Sequence, residues 1–116
     1  MRILVAFEER YRVYQDAIAE AILTRRPHAE VLAAEQGVLE ADLARIDPDL
    51  VICSQHKKNA INVTGVPAWF KVPTGSEHSG ELSLDGEYSE VENPGLVELL
   101  WFVDKAEKVL QAKACS

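Results

Sequence analysis

Three apolar runs of the chain end in residues that can bind a ligand or take part in chemistry. They supply two carboxylates, two hydroxyls, an amide and an imidazole: Glu8, Glu9, Ser54, Gln55, His56 and Thr74. In an open α/β sheet, ligands bind outside the carboxyl ends of the strands. If the three runs are neighbouring parallel strands, these side chains meet at one edge of the sheet. We therefore take them as the candidate ligand-binding residues.

Two kinds of ion could bind at this edge. Glu8 and Glu9, with Ser54, offer the hard oxygen ligands that Mg²⁺ and Ca²⁺ prefer. The segment from Gln55 through His56 to two lysines could form an anion-binding edge. Two solvated glutamates at a helix start and a solvated polar loop explain the same residues. We expect no bound metal and no cofactor.

Other chemistry has less support in the sequence. The histidines His56 and His78 lack the tight spacing of a metal-binding motif. No glycine follows Phe7, so the backbone there cannot approach a pyrophosphate as a glycine-rich loop does. Cys53 lies within an apolar run, where a cysteine usually behaves as an inert hydrophobic residue. A binding protein is therefore expected rather than an enzyme.

Composition limits the class of protein and of partner. With 116 residues and 47% hydrophobic content, residues 1–116 are expected to form one domain with a sizeable core. The net charge of −7 disfavours nucleic acid and anionic membrane surfaces. No apolar run approaches the roughly 18 residues that span a bilayer. The start of the chain lacks a cleavable leader pattern, so a cytoplasmic location is expected.

Strand and helix patterns alternate along the chain. Short apolar runs, typical of strands covered on both faces, predict strands at 3–7, 30–34, 47–55 and 68–72. Helical spacing predicts a first helix that ends at Arg25 and Arg26 before Pro27, and a second helix at 38–46. Residues 73–80 are rich in Gly, Ser and Thr, which predicts a loop.

A β-hairpin is predicted after this loop. Asp85 and Gly86 lie between two short strand-like segments, 82–84 and 88–91. This dipeptide favours a type I′ turn, because both of its residues can adopt positive φ.

The last segment predicts a helix that is apolar on all sides. Pro94 precedes the helical stretch 96–111. One face of a helix on a sheet covers only part of its surface, so the remainder is expected to meet another molecule. We expect a protein partner or a homodimer to contact Leu99, Trp101 and Phe102.

This order of elements predicts an α/β fold of the flavodoxin-like type, with a mostly parallel sheet, a late β-hairpin and a C-terminal helix. The opening segment 2–9, the strand 48–54 and a final helix after Asn93 and Pro94 resemble the response-regulator receiver domain, in length and in order. The resemblance implies a site in which acidic residues after the first strand hold Mg²⁺. An aspartate ending the third strand would accept phosphate, a Ser or Thr would end the fourth strand, and a lysine the fifth.

The residues at these positions differ from the family pattern. Phe7 lies where the first acidic residue is expected, and Ser54 replaces the aspartate that accepts phosphate. No Lys or Arg occurs between Val72 and Asp104. The resemblance therefore implies a noncatalytic regulatory or protein-interaction module without aspartyl phosphorylation. The alternative is a small-molecule or nucleotide-binding α/β protein, an enzyme included, that uses the pocket at the strand ends.

Overall fold

The computed structural model describes residues 1–7, 11–35, 45–55, 66–73 and 79–114. In this part of the chain the protein forms six strands and two long helices. In chain order they are β1 (Arg2–Phe7), α1 (Arg12–Arg25), β2 (Glu30–Glu35), β3 (Leu50–Gln55), β4 (Ala68–Pro73), β5 (Ser79–Leu84), β6 (Glu87–Glu92) and α2 (Leu96–Ala114). None of the described helices is both long enough and apolar enough to cross a membrane.

The strands form one mixed sheet in the order β2-β1-β3-β4-β5-β6. Neighbours from β2 to β4 are parallel, whereas β5 and β6 are antiparallel to their neighbours. The α/β class is therefore confirmed. Three of the five pairings are parallel, and the two at the β6 end are antiparallel. The tight turn between β5 and β6 can join only antiparallel strands.

Both faces of the central strands are buried, as the continuous apolar runs predict. Residues 3–6 of β1 and 50–53 of β3 are fully buried. On one side of the sheet, here called the helix face, the core includes residues of α1 and α2: Ile18, Ile22, Leu99, Phe102, Val103 and Ala106. On the other side, the opposite face, the buried cluster is Leu4, Ala6, Val51 and Cys53, and the half-buried Leu32, Ile46, Val66 and Trp69 pack against it.

The predicted hairpin is confirmed. Asp85 has a φ of 55° and Gly86 a φ of 87°, as a type I′ turn requires. The Asp85 N–H also donates to the Pro67 carbonyl, 2.9 Å away, which joins the turn to the residue before β4. The strands are longer than predicted, because Ser79 and Gly80 belong to β5 and not to a loop.

Two other predictions concern helices. The predicted helix 38–46 lies mostly outside the described residues, and its last two residues, Arg45 and Ile46, are helical. The C-terminal helix is confirmed, and it runs on to Ala114.

An ionic cluster joins the end of α1 to the middle of α2. The guanidinium groups of Arg25 and Arg26 each lie 2.7 Å from a carboxylate oxygen of Asp104, and Arg26 also pairs with Glu107. A hydrogen bond from Arg25, and to a smaller extent one from Arg26, lowers the pKa of Asp104. Asp104 therefore stays charged at neutral pH and holds the two helices side by side on the helix face.

Candidate ligand pocket

A pocket of about 500 Å³ lies on the helix face, at the carboxyl ends of β1 and β4. Strand residues, the first turns of α1 and the start of α2 surround it. Its lining consists of Phe7, Tyr11, Tyr14, Ala17, Ile18, Phe70, Val72, Pro73, Pro94, Gly95, Leu96 and Leu99. Carboxyl ends of parallel strands are the usual ligand position in this fold class.

Gln15 fixes the α1 side of the pocket to the end of β1. Its side chain is buried, with 8% exposure, and its Oε1 accepts a hydrogen bond from the Phe7 N–H at 2.9 Å. Without this acceptor the buried N–H would lack that bond, which typically costs about 1–3 kcal/mol. The bond holds the first turn of α1, and with it Tyr11 and Tyr14, beside the strand end.

The start of α2 forms the other side. The Gly95 N–H donates to the Glu98 carboxylate at 2.9 Å, and the Gly95 carbonyl accepts from the Leu99 N–H at 3.1 Å. A glutamate that reaches back to the N–H before its helix is half of a capping box. These bonds set where the helix begins, and so place Pro94 and Gly95 in the lining.

Gly80 lies behind the two lining residues Pro73 and Pro94, in a position that no larger residue fits. A Cβ atom on Gly80 would lie 2.6 Å from the Lys71 carbonyl oxygen and 3.0 Å from Pro73 Cδ. It would also lie 3.3 Å from Pro94 Cγ. Pro73 and Pro94 both line the pocket. Because Gly80 has no side chain, both proline rings can lie close to its backbone.

The described lining is apolar and aromatic. Its only side-chain polar atoms are the hydroxyls of Tyr11 and Tyr14, whose rings are 6.2 Å apart. Tyr14 is 62% exposed and therefore lies at the mouth of the pocket. The described lining offers no carboxylate, imidazole, thiol or amine. Such a site can hold a molecule by burial and hydrogen bonding, but its described residues supply no general base.

Two of the ligand-binding residues predicted from the sequence, Ser54 and Gln55, lie within the described residues. Glu8, Glu9, His56 and Thr74 lie outside them. Ser54 and Gln55 are the last two residues of β3, and they pair with Val72 and Pro73 of β4. Glu8 directly follows Phe7 in the sequence, and Thr74 directly follows Pro73. β1 and β4 both end at the pocket, and the roles of the six side chains in binding stay predictions.

Cys53 is on the opposite face and is buried. Burial raises the pKa of its thiol to about 12, although the positive charge of Lys71 opposes the shift. The thiol is therefore protonated at neutral pH, which agrees with an inert cysteine and not with a nucleophile. Within the described ranges no group of three or more His, Cys, Asp or Glu residues could hold a metal ion.

The three residues predicted to contact a partner have different environments. Leu99 and Phe102 are buried within the chain, at 3% and 1% exposure. Trp101 is 58% exposed, next to Val97 at 77%. A partner on α2 would therefore meet Trp101 and Val97, while Leu99 and Phe102 contribute to the core.

Comparison with known proteins gives no guide to function. No protein family model, curated protein or solved structure matches the chain. The function must therefore be inferred from the residues and geometry of the chain itself.

Proposed function

We propose that the protein is a noncatalytic binding module that holds a small, largely apolar molecule between α1, α2 and the ends of β1 and β4. The observation that carries this proposal is the pocket of about 500 Å³. Small-molecule sites typically have about 300–1,000 Å³ and a mostly apolar lining with a few polar groups. The pocket has both properties, and it lies where ligands bind in α/β sheets.

The lining favours a flat, uncharged ligand. Tyr11 and Tyr14 offer aromatic surface for stacking, and the buried rings of Phe7 and Phe70 form part of the apolar lining. The hydroxyl of the exposed Tyr14 can donate to or accept from one polar group at the mouth. An anionic ligand is disfavoured, because the chain carries a net charge of −7 and the described lining contains no Lys or Arg.

Filling the pocket tests this proposal. 2-Naphthol is a suitable probe, since it is flat, uncharged and has a single hydroxyl, and its binding can be followed by calorimetry. We expect saturable binding to the unmodified protein, and none to Ala17→Trp, because the indole would occupy the space beside Tyr14 and Leu96.

Val13→Trp is the matched control. It adds the same side chain to the same helix at a position that is 79% exposed and outside the lining. We expect it to leave the affinity unchanged. Equal loss of binding in both variants, or no saturable binding to the unmodified protein, would contradict the proposal.

A second candidate is a receiver-like protein-interaction module that does not accept phosphate. Two observations favour it. The strand order β2-β1-β3-β4 agrees with the start of the flavodoxin-like order, and α2 exposes Val97 and Trp101. β5 lies next to β4 as that order requires, but it runs antiparallel to β4 and so departs from a parallel sheet. In this proposal Ser54 prevents aspartyl phosphorylation, and a second copy or another protein contacts the exposed side of α2.

Charge placed on α2 tests the interaction module. We expect Trp101→Glu to convert a dimer into monomers in sedimentation velocity, because burying a carboxylate in an interface is strongly unfavourable. Val13→Glu, a change to an even more exposed apolar residue on α1, should leave the dimer intact. An unmodified protein that is already monomeric at high concentration would exclude the homodimer.

A further inference from the structure

The β5–β6 hairpin carries much of the negative charge of the chain. Residues 79–92 include five acidic residues and no Lys or Arg: Glu81, Asp85, Glu87, Glu90 and Glu92. The whole chain has a net charge of −7, so this one hairpin is far more acidic than the rest of the protein. Charge of one sign on a small surface attracts partners of the other sign.

The last strand of the sheet, β6, has one edge to which no described strand is paired. A β-turn bonds its first residue to its fourth, so Leu84 and Glu87 form a hydrogen-bonded pair. Hydrogen-bonded and non-bonded pairs alternate along antiparallel strands. The backbone N–H and C=O groups of Tyr88, Glu90 and Glu92 therefore point away from β5.

The same three residues share the opposite face of the sheet. Tyr88 pairs with Ser83, which pairs with Trp69, and the two aromatic rings are 6.2 Å apart. Glu90 lies directly across from Glu81. Like charges in that position repel each other. Lys71 pairs with Glu81 on the β4 side, so a further cation would bind on the outer side of Glu90.

The local environment already favours cations. The Lys71 ammonium lies 5.1 Å from the centre of the Trp69 ring, in a cation–π contact. Partial burial of the ring and the carboxylates of Glu81 and Glu90 raise the pKa of Tyr88 to about 12. All of β6 except Val91, which is half-buried, is exposed. A partner can therefore reach both the backbone edge and the acidic side chains.

We propose that the outer edge of β6 binds an extended basic segment of another protein. The segment adds a strand to the sheet through the outward backbone groups of Tyr88, Glu90 and Glu92. Its lysine or arginine side chains, at alternate positions, contact the two glutamates. Strand addition of this kind derives affinity from the backbone and specificity from alternate side chains. A second copy of β6 is a poorer partner, because two such edges would place glutamates against glutamates.

Two synthetic peptides of the same composition test this proposal by calorimetry. One alternates lysine with valine and threonine, and the other has its lysines in one block. We expect the alternating peptide to bind more tightly, and its affinity to fall as salt increases. Equal affinity for both peptides would mean that charge alone attracts them, and would overturn strand addition.

Glutamate variants locate the site. We expect Glu90→Gln and Glu92→Gln each to weaken binding about two- to fivefold, the effect of losing one cross-strand charge pair. Glu87→Gln is the matched control, since its side chain shares the helix face with Leu84 and its backbone is paired with β5. A loss in Glu87→Gln as large as in Glu90→Gln would overturn the site.

A proline variant separates the contribution of the backbone hydrogen bonds to peptide binding from the contribution of charge. Proline is tolerated on an edge strand where the N–H faces solvent, so Glu90→Pro removes the outward N–H without breaking the β5–β6 ladder. We expect it to bind the peptide more weakly than Glu90→Gln, with the circular dichroism spectrum unchanged. Should Glu90→Pro fail to fold, the double variant of Glu90→Gln and Glu92→Gln must bind more weakly than either single variant. An unmodified dimer that Glu90→Pro disrupts and Glu90→Gln does not would overturn the proposal in favour of self-pairing.

Discussion

Replacing Phe102 with alanine is expected to lower the free energy of unfolding by about 3–5 kcal/mol. Phe102 is 1% exposed and packs edge-to-face against Phe70, with ring centroids 5.3 Å apart. The substitution removes buried aromatic surface and leaves a cavity between α2 and β4. Because domains are stable by only about 5–15 kcal/mol, this single change is expected to bring the protein close to unfolding.

Guanidinium denaturation followed by circular dichroism measures the effect. Trp101→Ala is the matched control, because it removes an even larger aromatic side chain from the next position of α2 but at 58% exposure. We expect the control to cost less than about 1 kcal/mol, most of it from the contact between Trp101 and Lys105. If Trp101→Ala is the more destabilising change, α2 packs on the sheet through a different side.

Replacing Gly80 with alanine is expected to destabilise the protein by about 1–3 kcal/mol, the usual cost of overpacking. The new Cβ would lie 2.6 Å from the Lys71 carbonyl oxygen, which belongs to a strand and cannot move alone. The strain is relieved only by moving β4 and β5 apart. That movement displaces Pro73 and Pro94, so we also expect weaker binding of 2-naphthol.

Gly95→Ala is the matched control for Gly80→Ala. Its Cβ would approach only the end of the flexible Glu98 side chain, at 3.0 Å, so a shift of that carboxylate by a few tenths of an ångström relieves the contact. Alanine is a poorer residue than glycine before a helix, so we expect a loss below about 1 kcal/mol. Thermal melting of both variants measures the difference in their stability. Equal melting temperatures would show that β4 and β5 do not approach so closely at Gly80.

Local sequence patterns were enough to predict most strands and the hairpin. The run Ile3 to Phe7 is apolar at every position, which is how a strand buried on both faces must read. Asp85 and Gly86 identify their turn because few residues accept positive φ. In both cases the sequence pattern that predicts the structure lies within a few neighbouring residues, and the tertiary contacts stabilise the same local structure.

The pocket could not be predicted in this way, because its lining comes from distant parts of the chain. Gln15 is an example, since hydropathy places it on the surface, yet it is buried by its bond to the Phe7 N–H. In contrast, Val13 and Tyr14 are apolar and exposed. A clue to Gln15 is its spacing, three and seven residues before Ile18 and Ile22 on one helical face.

The partner-contact prediction shows a related limit. Leu99, Trp101 and Phe102 are all apolar, and α2 is apolar all round at its start. The pattern therefore cannot tell which side of the helix meets the sheet. Only the position of Phe70 on β4 determines that Phe102 is buried and Trp101 is exposed.

The Asp85 and Gly86 turn has a consequence for the design of variants of this protein. The turn sets the alignment of β5 with β6 through backbone geometry, so the outward residues Tyr88, Glu90 and Glu92 are not needed to maintain it. These positions can be randomised as a library without shifting the strand. The hairpin thereby offers a surface on which new binding specificities can be selected while the buried sheet is left unchanged.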